Sequence, residues 1–198
     1  MIKDEGRIEA VLAKAPLRCI EAYVTRLIAD AYRGTALETF GAVRNGGRYN
    51  PPGIPALYTS FLRATALREA MQFLGDLDPV RPMSMLSIKV DTDRIFDLTR
   101  WATLFELRTS RRELTRLIVD KYAGDALPQI LGRIAHDLGR FGGMIVWSRV
   151  HHKKWNLVLF PNRLGMEYHF YDPARNIPTT HPAIAETLRA LMDPPYSR

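Results

Sequence analysis

The chain has one cysteine, Cys19, so no intramolecular disulfide can form and the fold must hold without a covalent staple. Within LRCIEAYV that cysteine reads as a core residue on a helix face, and its apolar neighbours argue against a reactive thiol. No apolar run approaches the roughly 20 residues that a membrane-spanning helix requires. The opening MIKDEGRIEA mixes charges early and lacks an apolar signal core, so the expected compartment is the cytoplasm. His151, His152 and His181 have no partners at metal-ligand spacing and no His-Glu-x-x-His helix occurs, so no metal is expected. Phosphate cradles are missing as well: GAVRNGG has the wrong spacing for a dinucleotide fingerprint, and there is no P-loop. GTALETFG lacks the Gly-x-Ser-x-Gly elbow of serine hydrolases. Repeats, low-complexity tracts and domain linkers are also absent.

What is present suits one globular unit. A length of 198 residues with 46% hydrophobic and 25% charged side chains can bury a full core. The formal charge of +7 favours an anionic partner: a nucleotide, a nucleic acid or an acidic protein. Its basic residues are scattered, among them Arg111, Arg112, Arg116, Arg133, Arg140, Lys153 and Lys154, and no RNA-binding signature or zinc-finger spacing goes with them.

Periodicity and turn chemistry predict helices over Arg7–Lys14 and Leu17–Tyr32, divided by Ala15-Pro16 and stopped at Gly34. Phe40–Pro55, rich in Gly, Asn and Pro, predicts a loop of tight turns. Ala56–Ser60 predicts a short strand, with Ser60 as the N-cap of a helix running to about Gly75. Leu86, Ile88 and Val90 alternate with polar residues as in a half-buried strand. Ser110-Arg-Arg-Glu113 is a capping box opening a helix to about Ala123, and a further helix spans Asp125–Leu138. Met144–Ser148, Leu157–Phe160 and Glu167–Tyr171 read as strands, with PNRLG a hairpin turn between the last two. A final helix starts at Thr180 and runs towards Met192. Helices and strands are segregated, which gives an α+β class.

Four positions stand out as chemistry. Arg48 lies in a glycine-flanked turn, GGRYN, where backbone can approach a ligand and a guanidinium fork suits phosphate. Tyr58 sits in the strand just ahead of a helix and offers a face to a planar heterocycle. Glu69 falls at the margin of that helix's apolar face, where a carboxylate is partly desolvated and needs a partner or a function. Ser148 ends the strand GGMIVWS on the face of Met144 and Val146, placed to bond a ribose or phosphate oxygen. Each also has a plain reading: a solvated arginine, a core tyrosine, an ion-paired glutamate, a strand-end serine.

In order, GGRYNPPG, ALYTS, ATALREA and GGMIVWS-R followed by NLVLF resemble the RES-domain family, over roughly Tyr32 to Phe160. The resemblance implies an ADP-ribosyltransferase-like fold, a split β-sheet with surrounding helices. It implies a toxin of a bacterial type II toxin–antitoxin pair that uses NAD+ as substrate and needs no metal. On that basis the chain divides into a helical segment, 1–31, and an NAD-binding domain, 32–198, within one globular unit. The implied reaction is cleavage of the nicotinamide–ribose bond by hydrolysis or phosphorolysis, or else transfer of ADP-ribose to a target protein. The implied partner is an Xre-like helix-turn-helix antitoxin, with no membrane or direct nucleic-acid contact. Carried over residue by residue, the catalytic set is Glu69, Arg48 and Ser148; NAD+ is held by Arg48, Tyr58 and Ser148, together with Arg33 in AYRG. Tyr49 stands where many members have tryptophan. Readings of another class remain open: a nucleic-acid-binding module exploiting the charge, or an inactive scaffold that binds a protein partner.

Overall fold

The alternation at Leu86, Ile88 and Val90 belongs to a strand of 15 residues, β3 (Met83–Asp97), which is the spine of the molecule. The computed structural model describes residues 4–74, 83–118, 120, 122–164 and 169–178. Ahead of β3 come α1 (Glu5–Lys14), β1 (Leu17–Ala29), a 3-10 turn (Asp30–Thr35), α2 (Phe40–Asn45), β2 (Leu57–Ser60) and α3 (Arg63–Leu74). After it come α4 (Trp101–Glu106), α5 (Arg111–Thr115), α6 (Leu127–Asp137), β4 (Gly143–Trp147), β5 (Trp155–Leu159), α7 (Pro161–Leu164) and β6 (His169–Pro178). The architecture is α+β, as the segregation of elements predicts.

The strands are ordered β1-β2-β5-β4-β3-β6, and β1 also pairs with β3, so five of them close into a ring. One edge of β3 carries β1 from Met83 to Phe96; its other partners are β6 at Ser84–Val90 and β4, in parallel, at Ile95–Asp97. Ile20, Val24, Leu57, Ile88, Ile145, Leu157 and Leu159, all on strands of the ring, pack on one another. The opposite strand faces give Phe96, Met144, Val146 and Val158 to a second, larger core. There α1 contributes Ile8 and Leu12, and α6 contributes Ile130, Leu131, Ile134 and Ala135. An ion pair between Glu5 and Arg133, at 2.7 Å, joins those two helices at the surface. Such paired apolar faces are the reason the α+β layers hold together.

Several expectations need correction. The predicted helix over Leu17–Tyr32 is β1 followed by the 3-10 turn, so among the described residues of the segment 1–31 only Glu5–Lys14 forms an α-helix. Ile20, Val24 and Ile28 recur every four residues, a spacing that fits a helix face and a strand face equally. Their β-branching and continuous pairing with β3 decide for the strand. It follows that Cys19 is exposed, at the register irregularity between Arg18 and Ile20, and is not a core residue. The boundary at residue 31 is not a break in the fold either, since β1 pairs with β2 and β3. Ser60 ends β2 and does not cap α3, which starts at Arg63. Ser110 does cap α5, accepting from the Glu113 N–H at 3.2 Å, but that helix stops at Thr115. PNRLG opens as the short helix α7, with its Gly165 outside the described residues. The helix expected from Thr180 lies outside them as well.

Candidate functional site

The turn that carries Arg48 is built around a buried asparagine. Gly46 leaves α2 with φ of 63°, in the left-handed region that glycine tolerates, and the Gly47 N–H donates to the Asn50 carbonyl at 2.8 Å. Asn50 is fully buried; its Nδ2 donates to the carbonyls of Ala42 and Ile54 at 2.9 and 2.8 Å. From β2, the Tyr58 hydroxyl donates to Asn50 Oδ1 at 2.7 Å and accepts from the Tyr49 N–H at 2.9 Å. A side chain at Gly47 would place its Cβ 2.5 Å from that hydroxyl, so glycine is the residue that fits. On the other side Gln129 of α6 donates to the Gly47 carbonyl at 3.0 Å.

Arg48 therefore stands on a rigid mount. Its Nη1 donates to the carbonyls of Leu114 and Arg116 at 3.2 and 2.8 Å, tying the turn to the end of α5. Burial lowers its pKa first, and the like charge of Arg149 adds to that, while Tyr49, Glu69 and Tyr58 oppose. Burial likewise pushes the hydroxyls of Tyr49 and Tyr58 well above the ordinary tyrosine range, so both are neutral hydrogen-bonding groups.

Glu69 lies on α3, half-buried over the ends of β2, β4 and β5. Its Oε1 accepts two hydrogen bonds of 2.7 Å, one from Ser148 Oγ and one from Asn156 Nδ2. Ser148 is buried, just past β4, and its Oγ also accepts from the His151 N–H at 2.9 Å. The imidazole of His151 meets Thr65 of α3 through Nδ1 at 2.8 Å. Burial lowers the His151 pKa, with Arg68 and Lys154 adding to it and Glu69 opposing, so the ring is neutral at pH 7. In this way the loop after β4 is pinned to α3 at two points, Glu69 and Thr65, and the carboxylate is held between Ser148 and Asn156.

Of the residues singled out in the sequence, Glu69 and Ser148 meet directly, and the field of Glu69 acts on Arg48. Tyr58 is placed behind the Arg48 turn, with its hydroxyl bonded to residues 49 and 50. Arg33 sits exposed on the 3-10 turn after β1. Sequence reasoning missed Asn156, Ser60, Thr65 and His151. One signal was legible: Asn156 precedes the apolar run LVL on the side of Val158, a polar residue where the strand begins. A carboxylate held by neutral donors, an arginine on a braced turn and a neutral imidazole can orient a polar substrate and stabilise a positive charge forming on it.

The RES domain family matches residues 18–180 of the chain. Among solved structures, a chain in the crystal structure of the MbcT–MbcA toxin–antitoxin complex of M. tuberculosis superimposes with a TM-score of 0.75. The sequences are 21% identical, and the match covers 96% of this chain and 100% of that one. At that identity the likeness is one of fold. A search of curated proteins finds no match.

Proposed function

Since the chain belongs to the RES-domain family, matched over residues 18–180, we propose that it is the toxin of a toxin–antitoxin pair and breaks the nicotinamide–ribose bond of NAD+. The observation that carries this reading is the Glu69 carboxylate, fixed by Ser148 and Asn156 and electrostatically coupled to Arg48. The nitrogen of bound nicotinamide is cationic, so it departs with the bonding pair and leaves oxocarbenium character on the ribose. Glu69 holds the ribose hydroxyls and stabilises that cation through space, which needs its negative charge intact. Arg48, on its braced turn, holds the pyrophosphate or the carboxamide end, and Arg33 assists. Tyr58 packs towards the nicotinamide ring, and Ser148, whose one hydrogen goes to Glu69, orients the ribose oxygens through that carboxylate. The bond is completed by an oxygen from water or phosphate, which forms the new C–O bond and loses its proton to solvent. A side chain of a target protein in that place makes the same site a mono-ADP-ribosyltransferase. The cognate antitoxin in this reading is an Xre-like helix-turn-helix protein; the fold shared with a chain from a toxin–antitoxin complex supports an antitoxin partner, without bearing on its type.

The test is NAD+ consumption by the purified chain beside Glu69→Gln, with and without phosphate. Nicotinamide release by the wild type, reduced about a hundredfold or more in the folded variant, is the expected result. Phosphate dependence separates phosphorolysis from hydrolysis. Full turnover by Glu69→Gln would sink the assignment of Glu69, and a wild type inert alone but active with labelled NAD+ in lysate would move the reading to protein transfer.

A further inference from the structure

We infer that Asn156 is the residue that positions the Glu69 carboxylate, and that Ser60 in turn fixes Asn156, a relay that deepens the reading of this site as an NAD+-cleaving centre and rests on it. Asn156 is the second residue of β5, between two neighbours, opposite Ser60 of β2 on one side and Val146 of β4 on the other. Its Nδ2 donates to Glu69 Oε1, and its Oδ1 accepts from Ser60 Oγ, both at 2.7 Å. Ser60 is 3% exposed, and a hydroxyl has one hydrogen to give. That hydrogen is spent on Oδ1, so the amide has one sensible orientation, with its NH2 towards the carboxylate. The reverse would set Oδ1 against a carboxylate oxygen, two acceptors face to face. Ser148 is fixed by the same logic: its Oγ accepts from the His151 N–H, which aims its own hydrogen at Glu69.

Ser148 and Asn156 are both neutral donors, and that is their chemical use. A lysine or arginine in the place of Asn156 would hold the carboxylate as firmly but cancel much of the charge that the ribose cation needs. An amide and a hydroxyl orient the group without themselves adding positive charge beside it. Asn156 is thus a positioning residue: it acts on the substrate through Glu69.

Purified Asn156→Ala and Asn156→Asp are compared with the wild type in NAD+ cleavage across pH 5–9, with KM, kcat and thermal midpoint measured for each. Asn156→Ala is expected to lose about tenfold to a hundredfold in kcat, since small misplacement of a reacting group has that effect, while KM and the midpoint change little. Asn156→Asp places two carboxylates in one site, so the pair holds on to a proton to a higher pH than either carboxyl alone. Its residual activity should rise as pH falls and the shared proton rebuilds the bond to Glu69, a rise that the wild type does not share. A purely structural role would lower the midpoint and leave the shape of the pH profile alone. An active wild type with kcat unchanged in Asn156→Ala, or an unaltered profile in Asn156→Asp, overturns the relay by itself. An inert wild type overturns the enzymatic reading and the relay with it.

Discussion

At the scale of single residues, two side chains named from the sequence turn out to have different depth. Glu69 was legible because a carboxylate at the edge of an apolar helix face needs compensation, and it receives two hydrogen bonds there. Tyr58 was legible as a strand tyrosine, but the use of its hydroxyl was not, because Asn50 and the Tyr49 N–H become its neighbours only through the turn's conformation. Removing that hydroxyl while keeping the ring tells the two uses apart. Tyr58→Phe is expected to lose about 1–3 kcal/mol in urea unfolding, because Asn50 Oδ1 and the Tyr49 N–H both lose a partner, with KM for NAD+ little changed. An unchanged unfolding midpoint would mean that the turn does not depend on the hydroxyl. His151 gives a second, pH-dependent expectation. Its folded pKa lies below the free value of about 6.5, so the unfolded chain takes up its proton first. The stability contributed by the neutral ring is complete above the unfolded value and is lost as pH falls through the folded one. Between pH 7.5 and 5.5 the urea midpoint of the wild type should fall more than that of His151→Asn; parallel curves would contradict this.

Elements were read less evenly than residues, and the misreadings have a common cause. Spacing by four residues, as at Ile20, Val24 and Ile28, satisfies both periods, so only the pairing of β1 with β3 settles the state. Local chemistry fared better where it was self-contained, as in the cap at Ser110, although the helix it opens ends at Thr115. What no local reading could supply is the contact between α6 and the Arg48 turn. A Cβ on Gly132 would lie 1.7 Å from the Tyr49 carbonyl oxygen, so the helix and the turn touch backbone to backbone. Gly132→Ala must push one of them away. Its expected cost is about 3 kcal/mol, seen as a lower thermal midpoint, together with a fall in kcat/KM for NAD+ as Arg48 shifts. If the midpoint dropped and kcat/KM of the folded fraction held, the turn would be mechanically independent of α6.

For the whole molecule, the closed ring of β1, β2, β5, β4 and β3 explains how residues 79 positions apart come together: Glu69 sits on the helix that follows β2, Ser148 just past the end of β4, and β5 lies between the two strands. The order of those residues along the chain was readable; the ring that gathers them was not, because it depends on the long-range pairing of β1. Net charge acts at this scale too. At +7 the protein attracts anions, and the like charges of Arg149 near Arg48, and of Arg68 and Lys154 near His151, add to the burial that lowers both pKa values. Raising salt from about 0.1 M to about 1 M shortens the screening length from about 10 Å to about 3 Å. The attraction of NAD+, an anion overall, should weaken accordingly, so kcat/KM falls severalfold while kcat stays level, since the chemical step runs among partly buried groups at short range. A nucleic-acid-binding module would behave differently: its binding would weaken with salt in Glu69→Gln as steeply as in the wild type. Salt titration of both proteins, with NAD+ cleavage and oligonucleotide binding read side by side, therefore separates charge that guides a substrate to Glu69 from charge that serves a polymer indifferent to it.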